Sequence, residues 1–381
     1  MHPDTLAVHV GAEPAQAPSS LVPPIYQTSV FTFKDLYTAA DVTGGVQEGY
    51  SYARIGQPNA DMFGAAVAAL EGGSAAAVAA SGMGAILAAL VAARDGRAVA
   101  VADEIYGGSV ALLDGFLRPL GVECLRFDAH RPESMPARAG AVLVESASNP
   151  LGRLSDLSAL ASEAHRRRAR LIVDNTFATP YLCKPLEHGA DLVVHSVTKF
   201  LAGHGDVTLG VATGGRDLVR GTQSLLVTFG ATPDPFACWL ALRGLRTFGV
   251  RMQRAVENAR GVAEFLAGRK EVLRVHHASL PGHGDHELAG RFLSGEGPAI
   301  LAFDLRDEAA AARFVERLEM IRYAPSLGDV STIVLHPATT SHRQLEPLEQ
   351  ERLGILSGTI RLSVGIERLE DLLEELGHAL A

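Results

Sequence analysis

The sequence predicts an α/β fold built on a mostly parallel β-sheet. Between residues 50 and 240, short runs rich in Val, Ile and Leu alternate with amphipathic helical stretches. The apolar runs are nearly continuous, which is typical of strands covered by helices on both faces of a sheet. Polar and glycine-rich loops follow several of these runs, and in such sheets ligands bind at the carboxyl ends of the strands.

Five of the apolar runs are predicted as strands: residues 97–103, 122–127, 140–146, 169–176 and 190–196. The stretches DMFGAAVAALEGG, SVALLDGFLRPLG and DLSALASEAHRRRA predict helices between strands. Residues 75–93 carry no charge over about the length of a membrane span. Because this stretch is mostly alanine and is interrupted by serine and glycine, we interpret it as a packed internal helix.

Composition divides the chain into three parts. Residues 1–47 are rich in Pro, Gly, Thr and Gln and predict an N-terminal arm that lies on another surface. Residues 48–240 predict a large α/β domain. Residues 241–381 begin in a long helical stretch that breaks near Gly244, and they continue as strands and helices of an α+β kind. These residues predict a smaller C-terminal domain.

Charge and cysteine content exclude several classes of function. The formal net charge of the 381 residues is -9 and the basic residues are scattered, which argues against nucleic acid or an anionic membrane as a partner. Three cysteines without a CxxC pair indicate neither a disulfide framework nor a zinc site. The histidines of HHASLPGHGDH lack the regular spacing of metal ligands, so no metal is expected. The mixed, polar opening residues favour the cytoplasm.

Asp174 and Lys199 end two successive predicted strands, so one β-α-β step brings a carboxylate and an amine to the same edge of the sheet. One interpretation is a partly buried ion pair. The other is a pyridoxal phosphate (PLP) site, in which the lysine binds the cofactor's aldehyde and the aspartate holds a proton on its pyridine nitrogen. A nicotinamide site is not expected, because no GxGxxG follows the first strand.

A PLP site requires a phosphate cradle, an aromatic ring and an anion-binding arginine. SGM at residues 81–83 enters a predicted helix, whose first N–H groups suit a phosphate. Tyr106 precedes two glycines at a strand end and could stack on the ring or simply lie in the core or on the surface. Arg361 lies among apolar residues in TIRLSVGI, where its charge requires an anion or an acidic side chain nearby. Further polar candidates are Tyr52, Arg54, Ser196 and Thr198.

Eleven motifs, in order, resemble those of the Cys/Met-metabolism (trans-sulfuration) family of PLP-dependent enzymes over nearly the whole chain. They are PPIYQTSVF, YSYARIGQPNAD, SGMGAI, YGGS, ESASNPLG, VDNTFATP, HSVTKFLAGHGD, LRGLRT, SLGD, HPATTSH and RLSVGIE. The resemblance implies PLP-dependent fold type I, the aspartate-aminotransferase type, with a mostly parallel seven-stranded sheet in the large domain. It also implies a homodimer, usually doubled to a homotetramer, whose subunits share active sites.

The resemblance implies a role for each candidate residue. Lys199 would be the Schiff-base lysine, Asp174 the partner of the pyridine nitrogen and Tyr106 the stacking ring. Asn149 would contact the ring hydroxyl and the substrate. The phosphate would be held by Gly82, Met83, Ser196 and Thr198, and by Tyr52 and Arg54 from the neighbouring subunit. Ser326 and Arg361 would bind the substrate, with Arg361 on its α-carboxylate.

Within this family the sequence favours a γ-lyase that releases 2-oxobutanoate, ammonia and a thiol from methionine or cystathionine. The alternative is γ-replacement, as in cystathionine γ-synthase or O-acetylhomoserine sulfhydrylase. Cystathionine enzymes typically have a glutamate where this chain has Pro325, and methionine γ-lyases typically have a cysteine in the motif that here reads YGGS. The chain also departs from the family at Gly205, Gln57 and Asn59, so the preferred substrate stays open.

Overall fold

The computed structural model describes residues 2–9 and 20–381. The strands in these residues are β1 Ala75–Ala79, β2 Ala98–Ala102, β3 Cys124–Phe127, β4 Ala139–Glu145, β5 Arg170–Asp174, β6 Leu192–Ser196, β7 Gly210–Gly214, β8 Arg274–His276, β9 Ile300–Asp304, β10 Arg322–Tyr323, β11 Ile333–Leu335 and β12 Thr359–Ser363. The α-helices are α1 Pro3–His9, α2 Leu36–Thr43, α3 Pro58–Glu71, α4 Gly82–Ala93, α5 Gly107–Leu112, α6 Leu157–Arg166, α7 Thr179–Leu182, α8 Arg216–Phe229, α9 Pro235–Leu245, α10 Phe248–Ala267, α11 His286–Phe292, α12 Glu308–Glu316, α13 Pro347–Arg352 and α14 Leu369–Leu380.

The larger sheet has seven strands in the order β1-β7-β6-β5-β4-β2-β3. The pairs β2–β3, β2–β4, β4–β5 and β5–β6 are parallel, and β7 runs antiparallel to both of its neighbours. The mostly parallel, seven-stranded α/β sheet is therefore confirmed. Its five predicted strands are all present, each within a few residues of its expected bounds.

Helices cover both faces of this sheet, which explains why its strands are apolar throughout. On one face, Phe63, Val67 and Leu70 of α3 join a core with residues of α6 and α9. On the other face, Ile86 and Leu90 of α4 join a second core with residues of α8. Two-sided burial removes the alternation that a half-exposed strand would show.

Residues 75–93 do not form one helix: our interpretation as a packed helix was wrong for residues 75–79, which form a strand, and is confirmed for residues 82–93. β1 comes first, and α4 begins at Gly82 after a cap at Ser81. The alanines of β1 pair along their whole length with β7, a strand that the glycine-rich sequence did not predict. Pairing with β7 outweighs the helix propensity of alanine. Among the described residues, no helix is long and apolar enough to cross a membrane.

The second sheet contains five strands in the order β10-β11-β12-β9-β8 and packs against α10, α12 and α14. The helical stretch that precedes it ends its first part at Leu245 and resumes at Phe248, which agrees with the break expected near Gly244. β12 is central in this sheet and carries Arg361. The two sheets thus bring Arg361 toward the carboxyl ends of β4, β5 and β6.

Candidate active site

Three neighbouring parallel strands end together at one edge of the larger sheet. β4 ends at Glu145, β5 at Asp174 and β6 at Ser196, and Glu145 and Asp174 are register partners. The chain then turns, and the Lys199 backbone N–H donates to the Ser196 carbonyl at 3.2 Å. Lys199 therefore lies just beyond the strand ends, as the β-α-β argument predicted.

The amine of Lys199 contacts a residue that is distant in sequence. Its Nζ lies 2.6 Å from Oγ of Ser326, which precedes the second sheet's β11. Ser326 has a φ of 96°, a left-handed conformation that is rare for residues other than glycine. Burial and, to a smaller extent, the nearby Arg361 charge together lower the pKa of Lys199 to about 8. A larger fraction of neutral amine is available near pH 7 than in an exposed lysine.

Arg361 is buried, and no acidic side chain within residues 2–9 and 20–381 forms an ion pair with it. Its Nη1 donates to Oδ1 of Asn149 at 3.0 Å, and its Nη2 donates to the carbonyl of Ser326 at 2.7 Å. Its Nε is buried and has no hydrogen-bond partner in the part of the chain that the structure describes. Burial lowers the pKa of Arg361 to about 10. Of the two partners predicted from the sequence, an acid is not found beside Arg361 among the described residues, and a bound anion stays a prediction.

Asp174 makes no ion pair with Lys199 among the described residues, so the ion-pair interpretation of these two residues was wrong. Oδ1 of Asp174 accepts hydrogen bonds from the backbone N–H and the hydroxyl of Thr176. Burial raises the pKa of Asp174, and the Thr176 hydrogen bonds and the nearby His195 oppose that rise. The Thr176 hydroxyl also accepts from the Ser196 N–H at 2.9 Å and so joins β5 to β6.

Glu145 is a part of this edge that the sequence analysis missed. It is buried, and its carboxyl oxygens accept from the backbone N–H of Tyr106 at 2.7 Å and of Asn149 at 3.3 Å. Burial raises the pKa of Glu145 to about 8, and the neighbouring Asp174 carboxyl contributes to the rise. The motif ESASNPLG contained this residue, but nothing in its spacing revealed contacts to two backbone groups.

The start of α4 has the features of a phosphate cradle. The Ser81 hydroxyl caps Gly84 and its carbonyl accepts from Ala85, which leaves the N–H groups of Gly82 and Met83 as the remaining donors of the first turn. Gly82 lies directly against Ser196: a Cβ added at Gly82 would lie 2.9 Å from the Cβ of Ser196. The Thr198 hydroxyl exchanges hydrogen bonds with the backbone of Leu209 behind the cradle.

The side chains of the remaining predicted site residues lie outside this hydrogen-bonded group. The Tyr106 side chain is 45% exposed, and its ring lies where a side chain at Gly108 would otherwise be. Tyr52 and Arg54 are also exposed. The Arg54 guanidinium lies 5.7 Å from the Tyr52 ring centroid and donates to the carbonyl of Val227 in α8 at 3.0 Å. Neither residue hydrogen-bonds to Lys199 or Asp174 within the described chain.

The departures from the family pattern have local structural reasons. Gln57 caps α3 by accepting from the Asn59 N–H, and its Nε2 lies 3.7 Å from Sγ of Cys238. Asn59 bonds both to the Tyr26 N–H and to the Pro24 carbonyl, so it fastens the N-terminal segment. Gly205 has a φ of 65°, where any side chain would be strained and would crowd Asp329.

The residues present fit a PLP group. The N–H groups at the start of α4 suit its phosphate, Lys199 has a depressed pKa for reaction with an aldehyde, and Asp174 offers a carboxyl that forms no ion pair among the described residues at the same edge. Together with the sheet order, these features define the class of PLP-dependent enzymes of fold type I.

Comparison with known proteins identifies the family within that class. The pattern of the family described as Cys/Met metabolism PLP-dependent enzymes matches residues 4–381, and the chain belongs to this family. The protein is therefore a PLP-dependent enzyme of the trans-sulfuration group, as its motifs predicted.

Two relatives and one solved structure illustrate the similarity. The L-methionine gamma-lyase of Pseudomonas putida is 38% identical over 99% of this chain and 96% of its own length. The O-succinylhomoserine sulfhydrylase of Pseudomonas aeruginosa is 38% identical over 99% of this chain and 95% of its own. A crystal structure of a candidate O-acetylhomoserine (thiol)-lyase from Campylobacter jejuni, which contains N'-pyridoxyl-lysine-5'-monophosphate, matches both chains completely, with a TM-score of 0.95 and 30% identity.

Proposed function

We propose that this enzyme catalyses γ-elimination from a sulfur amino acid. With L-methionine and water as reactants, the products would be 2-oxobutanoate, ammonia and methanethiol. The observation that carries the proposal is the contact between Lys199 and Ser326, because it places a neutralisable amine beside the carbonyl that Arg361 binds. A proton-transfer group and an anion-binding group thereby share one site.

We assign the cofactor's phosphate to Gly82, Met83, Ser196 and Thr198, its aldehyde to Lys199, its pyridine nitrogen to Asp174 and its ring to Tyr106 and Asn149. When bound, PLP supplies an electron sink for negative charge at the substrate's Cα. The half-buried Asp174 supports its assignment because Thr176 stabilises the ionised carboxylate by two hydrogen bonds.

Lys199 would carry protons between substrate atoms. Its neutral Nζ would take the proton from Cα and would later return a proton to the carbon chain, while a second proton leaves Cβ before the Cγ–S bond breaks. The pKa of about 8 supports this role, since an effective general base has a pKa near the working pH. The Ser326 hydroxyl would hold Nζ between transfers.

Arg361 would bind the substrate's α-carboxylate. Two of its nitrogen atoms are already fixed by Asn149 and Ser326, which orient the guanidinium, and its Nε donor has no other acceptor among the described residues. A fixed arginine loses little freedom on binding, so it can set the position of Cα relative to Lys199.

The second candidate is γ-replacement on an acylated homoserine. A sulfhydrylase relative is as similar to this chain as a methionine γ-lyase, at 38% identity each. The absence of a glutamate at Pro325 disfavours a dedicated cystathionine enzyme, and Gly108 stands where methionine γ-lyases typically have a cysteine. Both reactions use the same assigned residues up to loss of the γ-substituent.

We further propose a homodimer, or a tetramer formed from two dimers, in the cytoplasm. Tyr52 and Arg54 would complete the phosphate site of the neighbouring subunit, which agrees with their exposure and with their separation from Lys199 in one chain. The proposed divisions of the chain are an arm at 1–47, a large domain at 48–240 and a C-terminal domain at 241–381.

The decisive experiment measures 2-oxobutanoate from purified, PLP-loaded enzyme with L-methionine and with L-cystathionine at equal concentrations. Release from either substrate supports elimination, and it must disappear in Lys199→Ala. A parallel reaction contains O-acetylhomoserine and sulfide. Homocysteine formation in that reaction, without 2-oxobutanoate from the first two substrates, would replace γ-elimination by γ-replacement.

A further inference from the structure

Glu145 connects two loops that the proposed function places on the cofactor ring. It ends β4, which lies next to the central strand β5 of the larger sheet, and only 7% of it is exposed. One carboxyl oxygen accepts from the N–H of Tyr106, at the start of α5, and the other accepts from the N–H of Asn149, in the loop after β4. The two loops follow different strands, β2 and β4, and are therefore distant from each other in the sequence.

The contacts of Glu145 continue through the site. Oδ1 of Asn149 accepts from Arg361, Arg361 donates to the Ser326 carbonyl, and the Ser326 hydroxyl contacts Lys199. Glu145 therefore stands at one end of a connected series of hydrogen bonds that ends at the amine. It reaches the Arg361 guanidinium and the Lys199 amine through other residues.

We propose that Glu145 is a positioning residue of this enzyme, which fixes Tyr106 and Asn149 through their backbone N–H groups without touching the substrate. This inference rests on the proposed function, which gives those two residues their roles. Backbone contacts suit positioning, because they fix a loop while leaving its side chains free for ligand.

Glu145 also forms a carboxyl pair with Asp174. The two residues are register partners on adjacent parallel strands, and Glu104 in the loop after β2 is a third acidic group that faces Glu145. Arg153 binds Glu104, and His195 is the basic group that acts on Asp174. Two neighbouring buried carboxyls do not both ionise readily, so such a pair retains one proton into the neutral range. If Asp174 is the one that faces the cofactor's nitrogen, the retained proton belongs on Glu145.

The protonation of Glu145 has a signature in cofactor-free protein. A carboxyl whose pKa is about 8 when folded, and about 4.3 when unfolded, binds more protons in the folded state between those values. Its contribution to stability is therefore complete below the lower value and falls as the pH rises toward 8. Glu145→Gln removes the titrating carboxyl. The difference in the free energy of unfolding between wild type and variant should therefore shrink steadily as the pH rises across that range. Urea unfolding at several pH values measures it.

The positioning role is tested by kinetics on the PLP-loaded enzyme. Glu145→Gln keeps the size of the side chain but turns an N–H donor toward one of the two backbone N–H groups. We expect kcat/KM for 2-oxobutanoate release to fall about 100-fold, because Tyr106 and Asn149 would no longer be held in place and a small misplacement of such groups has an effect of this size. Glu104→Gln is the matched control, because Glu104 binds Arg153 and the Ser148 hydroxyl but neither backbone N–H. It should stay within about threefold of wild type.

The outcomes separate this inference from the proposed function. A wild-type kcat/KM in Glu145→Gln, or an equal loss in Glu104→Gln, would overturn the positioning role. If Glu145→Gln does not fold, Glu145→Asp replaces it, since the shorter side chain cannot reach both loops, and an unimpaired Glu145→Asp likewise overturns the role. If wild type turns over neither sulfur amino acid, the proposed function fails, and PLP dissociation constants then decide: Glu145→Gln must bind PLP more weakly than Glu104→Gln.

Discussion

The inner edge of the site and the segment formed by residues 21–55 differ in how many of their side-chain contacts are made within one chain. At the inner edge, Lys199, Ser326, Arg361 and Asn149 bind one another directly. The segment 21–55 instead exposes large apolar side chains, among them Leu21 at 89%, Tyr37 at 81% and Val46 at 82%. Apolar surface of this extent marks a contact face. The difference agrees with our proposal that a second copy of the chain completes the outer part of the site, whereas the groups of the inner edge contact one another within one chain.

Mixing two inactive variants gives the largest expected effect. Lys199→Ala lacks the amine and Arg54→Ala lacks the guanidinium proposed to serve the neighbouring site, so each alone should lose at least about 1,000-fold in 2-oxobutanoate release. Refolded together in equal amounts, half of the dimers would combine both chains and carry one intact site each. About a quarter of wild-type activity should return. No recovery would mean that each chain holds a self-contained site.

The second effect concerns the inner edge alone. In wild type the rate of PLP capture by cofactor-free protein, followed by its visible absorption band, should rise with pH and level off above about 8, because the neutral amine of Lys199 reacts. Arg361→Met removes a positive charge that lowers the pKa of Lys199, so the midpoint should move to higher pH. Arg118→Met, which removes an exposed arginine paired with Asp114, is the control. An unmoved midpoint in Arg361→Met would contradict the coupling.

The smallest effect concerns the attachment of the outer segment. Asn59→Ala removes hydrogen bonds of 2.9 Å to the Tyr26 N–H and to the Pro24 carbonyl, and it should lower the free energy of unfolding by about 1 kcal/mol. Asn258→Ala is the matched control, because its amide also makes two hydrogen bonds to the backbone, in this case by donating to two carbonyls in the segment after β12. Only Asn59→Ala should also shift the dimer toward monomer in sedimentation. Equal dissociation in both variants would remove the special role of residues 21–55.

The sequence predicted most of the larger sheet because two-sided burial leaves long Val- and Leu-rich runs. It did not predict β1 or β7. The alanines of β1 have high helix propensity, and the glycines at both ends of β7 are typical of a loop. The strand conformation of both segments therefore depends on the pairing of β1 with β7. Propensity acts locally, whereas this pairing joins residues more than a hundred positions apart.

The site was predictable where residues share a motif or a strand end, as Asp174 and Lys199 do. The Ser326 contact to Lys199 spans 127 positions and depends on how the second sheet lies on the first. Glu145 was hidden for another reason: it acts on backbone N–H groups, which every residue has and no sequence pattern marks.

Ser326 has a left-handed backbone conformation at the position where its hydroxyl contacts the amine of Lys199. Such a conformation costs about 1–3 kcal/mol in a residue with a side chain, and glycine would relieve most of it. A glycine at this position would lose the hydroxyl, however. Backbone stability and contact with the Lys199 amine therefore favour different residues at position 326.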